Sequence, residues 1–231
     1  MLFDPLYLLF VLPGLGLSLW ASARVKSAFK KYSQVRTARG FTGAQAAQEL
    51  LRGAGITDVT IVRSQGVLSD HYNPMTKTLA LSESVYGSDS VAAVGVATHE
   101  AGHAIQHARR YAPLWVRSAL VPTASIGSSI GYFVMMIGVF MASTNMVLVG
   151  AVLFSAVLLF QVVTLPVEFD ASSRAKALIV EQGIVTAQER RGVDAVLNAA
   201  ALTYVAAAVS TLMTLLYFLW RSGLLGGGGR R

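Results

Sequence analysis

"SALVPTASIGSSIGYFVMMIGVFMASTNMVLVGAVLFSAVLLFQVVTLPV", residues 118 to 167, runs for 50 positions without a charged side chain. A bilayer core takes about 20 apolar helical residues to cross, so this run is too long for one crossing and fits two. The polar triplet Ser143-Thr144-Asn145 in its middle predicts the turn between them. Two more charge-free runs flank it, 19 residues between Asp4 and Arg24 and 26 between Asp194 and Arg221. These runs predict four transmembrane helices, near 4–23, 119–141, 146–166 and 198–220. Composition agrees: of 231 residues 54% are hydrophobic and only 13% charged, against about 25% charged in an ordinary soluble domain.

A net charge of +7 suits either nucleic acid or a membrane surface. The lysines and arginines lie beside the apolar segments and form no basic stripe interleaved with aromatics. The expected partner is therefore the lipid bilayer, with no nucleic acid. The chain has no cysteine, which excludes disulfides and thiolate metal sites. The first apolar segment follows "MLFD", an acid with no basic residue, and the cluster Arg24, Lys26, Lys30, Lys31, Arg36 and Arg39 comes after it. A cleaved signal peptide has the opposite order, so this segment reads as an uncleaved anchor although Ala21-Ser22-Ala23 resembles a cleavage site. Residues 24–117 hold 12 of the 19 basic residues and 168–194 hold another four, whereas the turn at 142–145 holds none. The positive-inside rule then puts both charged stretches in the cytoplasm. Arg221, Arg230 and Arg231 fall outside on that reading, which makes 198–220 the weakest span, with a packed or re-entrant helix as its alternative.

A small folded region is legible between the membrane segments. "FTGAQAAQELLRGAG", residues 41–55, has Thr42 as a helix cap and Gly53 and Gly55 as stops. "VTIVRS" at 59–64 and "KTLALS" at 77–82 read as strands, with "DHYNP" as the loop before the second. The position of "KTLALS" before the next helix suggests an edge strand that an extended peptide could join. From Ser90, "SVAAVGVATHEAGHAIQHARRYA" is a long alanine-rich helix.

That helix carries His99-Glu100-Ala101-Gly102-His103. Histidines one helical turn apart on one face can both bind a single zinc ion. Zinc lowers the pKa of a bound water to about 7, and Glu100, beside that face, is placed to take its proton. A helix with ordinary polar histidines is the competing reading, and the apolar flanks weigh against it. His107 lies eight residues beyond His99, about 12 Å along a straight helix, too far to join the pair. His71 falls in the predicted loop. His107 reads as a polar residue next to the site and His71 as a substrate-side or transition-state group, both candidates for supporting the ligands rather than binding the metal. A third ligand must come from elsewhere, and Glu168 and Asp170 in "TLPVEFDASSRAKAL" are the first charges after the 50-residue run. Their competing reading is a plain membrane exit, with Pro166 kinking the helix or starting a new one.

"DHYNPMTKTLALSESVYG", "AAVGVATHEAGHAIQH" and "TLPVEFDASSRAKALI", in this order, resemble the YugP-type neutral zinc metallopeptidases of bacterial membranes. The resemblance covers roughly residues 40–200. It implies a gluzincin-like protease with one Zn2+ per chain held by His99, His103 and Glu168, and Glu100 as general base. Where the wider group has aspartate four residues after the ligand glutamate, this chain has Ser172. Asp170 or the Ser172 hydroxyl must then orient a ligand histidine. The expected fold class is a mainly α membrane protein of about four transmembrane helices with a small α+β cytoplasmic catalytic region carrying the HExxH helix. It forms one domain over 1–231, with cytoplasmic parts at 24–118 and 167–197. The expected location is the bacterial cytoplasmic membrane, multi-pass, with the site on the cytoplasmic side and a membrane-associated protein or peptide as substrate. A membrane scaffold with a structural metal is the alternative. Such a site would close all four metal positions and has no use for Glu100.

Overall fold

The computed structural model describes residues 5–66 and 69–225. In chain order the elements are helices α1 (Pro5–Tyr32) and α2 (Gly43–Gly53), strands β1 (Thr60–Ser64), β2 (His71–Asn73) and β3 (Thr78–Ser82), then the one-turn helix α3 (Glu83–Tyr86) and helix α4 (Val91–Ala108). Helix α5 (Ala112–Ile126) continues through a π-helical segment (Gly127–Gly131) into α6 (Tyr132–Phe140), followed by α7 (Thr144–Glu181) and α8 (Ala187–Arg221).

Among the described residues four helical stretches are long and apolar enough to cross a membrane: α1, Ala112–Phe140, α7 and α8. The turn inside the uncharged run falls at 141–143, one or two residues before the expected triplet, with Ala142 at φ 52. Helix α7 has 38 residues, about 57 Å at 1.5 Å per residue, nearly twice the bilayer core. It runs through Pro166, which neither ends it nor starts a new helix. Helix α8 is likewise unbroken over 35 residues, without the interruption a re-entrant segment would need.

The chain divides into two compact units. The first takes Met1–Ala21, Trp115–Leu165 and Thr203–Arg231. Lipid offers little hydrophobic drive between helices, so contact here depends on small residues that let backbones approach. A Cβ added at Gly150 would lie 2.5 Å from the Met135 nitrogen, and one at Gly131 2.7 Å from the Phe154 nitrogen. Edge-to-face contacts among Tyr7, Tyr132, Tyr217 and Phe218 fill the interior. Leu9, Leu19, Phe133 and Val152 stay exposed, an apolar surface suited to lipid.

The second unit takes Ser22–Leu114 and Pro166–Leu202. Thr42 and Gln45 form a reciprocal capping box at the start of α2, worth about 1 kcal/mol. Gly55 at φ +75 turns the chain out of the helix. The alanine-rich sequence of α4 is explained by burial on several sides: Ala92, Ala93, Ala97, Ala101 and Ala104 are all buried.

The sheet has the order β1-β3-β2. "KTLALS" is thus its central strand and not an edge. It pairs parallel with β1, Thr60 opposite Thr78, and antiparallel with β2, His71 opposite Ala80. The expectation failed because "DHYNP" holds a short strand. The Asn73 carboxamide accepts the N–H groups of Met75 (2.9 Å) and Thr76 (3.4 Å), closing a tight turn that folds β2 back onto β3. His71 therefore lies on a strand, and Ala80 has a neighbouring strand on each side, with Val62 and His71 opposite it.

Candidate metal centre

The site stands on α4 and the C-terminal part of α7. His99 and His103 lie one turn apart, with ring centroids 4.8 Å apart and planes nearly perpendicular. Gly102 sets the distance to α7: a Cβ there would lie 2.5 Å from the Ala171 carbonyl oxygen, so any side chain would force the two backbones apart. With that approach, Glu168 on α7 reaches both imidazoles, its Oε2 3.2 Å from His99 Nε2 and 3.6 Å from His103 Nε2. Among the described residues these three form a His/His/Glu group with ligand atoms all within 4.8 Å of one another. Zinc bonds of about 2.1 Å in a tetrahedron separate their ligand atoms by about 3.4 Å, so the donor set fits that ion in type and spacing.

The outer nitrogens are held as a ligand histidine requires. Gln106 is fully buried, and its amide nitrogen donates to the Val167 carbonyl and to Asp170 Oδ2, both at 2.8 Å. Both amide hydrogens are then committed, so Gln106 Oε1 must accept from His103 Nδ1 at 3.0 Å. That puts the proton on Nδ1 and leaves the Nε2 lone pair facing Glu168. Asp170 is braced in turn by Arg174, through Nε at 2.6 Å and Nη2 at 3.1 Å. His99 Nδ1 lies 3.0 Å from Ser172 Oγ, one turn beyond Glu168 on the same face of α7. The serine thus stands at one histidine, and Asp170 acts on the other through a glutamine.

Burial works to lower the His103 imidazole, but the neighbouring carboxylates of Glu168 and Glu100 hold it above its ordinary value. The same negative charge that attracts a proton would attract a cation. Glu100 is half-buried, and its carboxylate has no hydrogen bond or ion pair among the described residues.

The remaining candidates stand apart from this group. His107 Nδ1 lies 2.8 Å from the Tyr72 hydroxyl, which comes from β2. His71 is exposed, and its Nδ1 lies 2.8 Å from the Ser69 carbonyl. Gln106 was missed in the sequence, although it repeats the His99 and His103 face one turn further along α4.

A profile of the family described as "putative neutral zinc metallopeptidase" matches residues 7–223. The chain belongs to this zinc metallopeptidase family. The "Putative membrane protease YugP" of Bacillus subtilis (strain 168) is 44% identical over 214 residues, 93% of this chain and 95% of the relative. No solved structure matches the chain. The His/His/Glu cluster is a group that could hold the metal ion the family description names.

Proposed function

We propose that the protein is a zinc endopeptidase of the bacterial cytoplasmic membrane that hydrolyses membrane-associated proteins or peptides, with Glu100 as general base. The observation that carries this reading is the convergence of His99, His103 and Glu168 beside Glu100, a carboxylate with no hydrogen bond or ion pair among the described residues. Bound there, a zinc ion would supply Lewis-acid chemistry, polarising the scissile carbonyl and acidifying water. The protein's part is proton handling and orientation. Glu100 takes a proton as the water oxygen attacks the peptide carbonyl carbon, and returns it to the amide nitrogen as the C–N bond breaks. Gln106 and Ser172 fix the two imidazoles so that each presents Nε2. A structural metal would need none of this from Glu100.

Removing zinc with a strong chelator should abolish cleavage of an unfolded protein substrate by the purified enzyme, and stoichiometric zinc should restore it. Cleavage that persisted without metal would end the proposal. The cytoplasmic location rests on the asymmetry of basic residues. A cysteine placed at Ser64 should be shielded from an impermeant thiol reagent in intact cells, and one at Thr144 should be labelled. The reverse pattern would put the active site outside the cell.

A further inference from the structure

On the second unit a groove of about 880 Å³ opens, lined among others by Arg39, Phe41, Gln45, Gln48, Ile61 and Tyr86. One wall is α2 and the other is β1, which among the described residues pairs only with β3. The Thr60 N–H donates to the Lys77 carbonyl at 3.0 Å, in a parallel register with Thr60 opposite Thr78. In such a ladder alternate residues bond the neighbour, so Ile61 and Arg63 turn their main-chain N–H and C=O groups to the outer side. Proteins ordinarily cover or blunt an edge of this kind. Here Ile61, one of the two residues of that outer edge, lines the groove.

The charge in the groove selects the occupant. Glu49 is neutralised by Arg52 at 2.6 Å. Arg63 is engaged by Glu83 at 2.8 Å and lies 4.7 Å from the centre of the Tyr86 ring. Arg39 makes no side-chain hydrogen bond or ion pair among the described residues. Among the lining residues the charged side chain left without such a partner is therefore Arg39, whose guanidinium lies beside Gly183. A chain terminus would want a row of open N–H donors. In this loop they are spent: Gly40 N–H on the Thr37 carbonyl (3.0 Å), Thr42 N–H on Gln45 Oε1 (3.0 Å) and Gly43 N–H on the Ser88 carbonyl (2.9 Å). One fork-shaped cation suits one carboxylate side chain.

We propose that this groove docks an extended acidic segment of a protein partner, which pairs with the outer edge of β1 and places an aspartate or glutamate side chain on Arg39. The site is distinct from the metal centre. None of its lining residues belongs to the His99, His103 and Glu168 group, and it is β2, across the sheet, that meets α4 at His107. Substrates or regulators held here would be captured without touching the metal, and the test needs no catalysis.

The probe is a fluorescein-labelled, C-terminally amidated heptapeptide of alternating valine and threonine with one central glutamate. Its binding is read by fluorescence anisotropy on full-length Glu100→Gln protein in detergent micelles. Saturable binding is expected, weakened about tenfold or more by Arg39→Glu, which should in turn bind the lysine counterpart of the probe better than the parent does. Ile61→Pro removes one outward donor and no bond to β3, so it should fold and lose binding. If it does not fold, the probe N-methylated on its pairing nitrogens serves on the parent protein and should fail to bind. The proposal is overturned by an absence of saturable binding, by affinity indifferent to Arg39→Glu and to N-methylation, or by binding that demands a free terminal carboxylate.

Discussion

Glu100→Gln protein should keep its zinc and lose peptide cleavage by about two to four orders of magnitude, the usual worth of a positioned general base. Glutamine preserves the size of the side chain and takes away its ability to accept a proton. The Glu100 carboxylate has no hydrogen bond or ion pair among the described residues, so the exchange strands no partner and the fold should be indifferent to it. Zinc content and cleavage of an unfolded protein, measured on the same preparation, separate the two roles. Cleavage at the wild-type rate would show that Glu100 takes no part in the reaction. Simultaneous loss of zinc and activity would show that it helps to hold the metal.

Glu168→Ala should have the opposite signature, with most of the zinc gone and activity gone with it. Glu168 is only 2% exposed and is, among the described residues, the one carboxylate within 4 Å of both imidazoles. Without it the site offers two neutral nitrogens, short of the three protein ligands a catalytic zinc site uses. The measurement is zinc per chain by elemental analysis, with circular dichroism to confirm that the helices persist. Full zinc in folded Glu168→Ala protein would remove this residue from the ligand set.

The membrane helices were legible because lipid imposes a single strong rule, uninterrupted apolar length, and the gaps between charges obey it. What charge counting could not show is that α7 and α8 continue as helix well past the apolar runs. That rigid extension is how Glu168 and Ser172 come to share a face. The face of α4 was readable from the spacing of His99 and His103, the first charges after the uncharged run offered Glu168 and Asp170, and the family resemblance chose Glu168. Gln106 was hidden because a glutamine carries no distinctive signal until its partners, Val167 and Asp170, are seen to come from a segment 61 to 64 residues away. Gly102 was hidden for a similar reason: its value is the missing methyl against the Ala171 carbonyl, a tertiary fact. The sheet was misread because β2 has three residues and its turn is built by one side chain, Asn73. Strand alternation in "KTLALS" says where side chains point, and says nothing about how many neighbours the strand has.

In the proposed mechanism His99, His103 and Glu168 together hold one catalytic zinc ion. Elemental analysis of the full-length protein, purified in detergent without added metal, tests it most directly when run beside folded His103→Ala protein. About one zinc per wild-type chain and little in the variant is the predicted result. Wild-type chains free of zinc, or His103→Ala chains carrying a full complement, would contradict it.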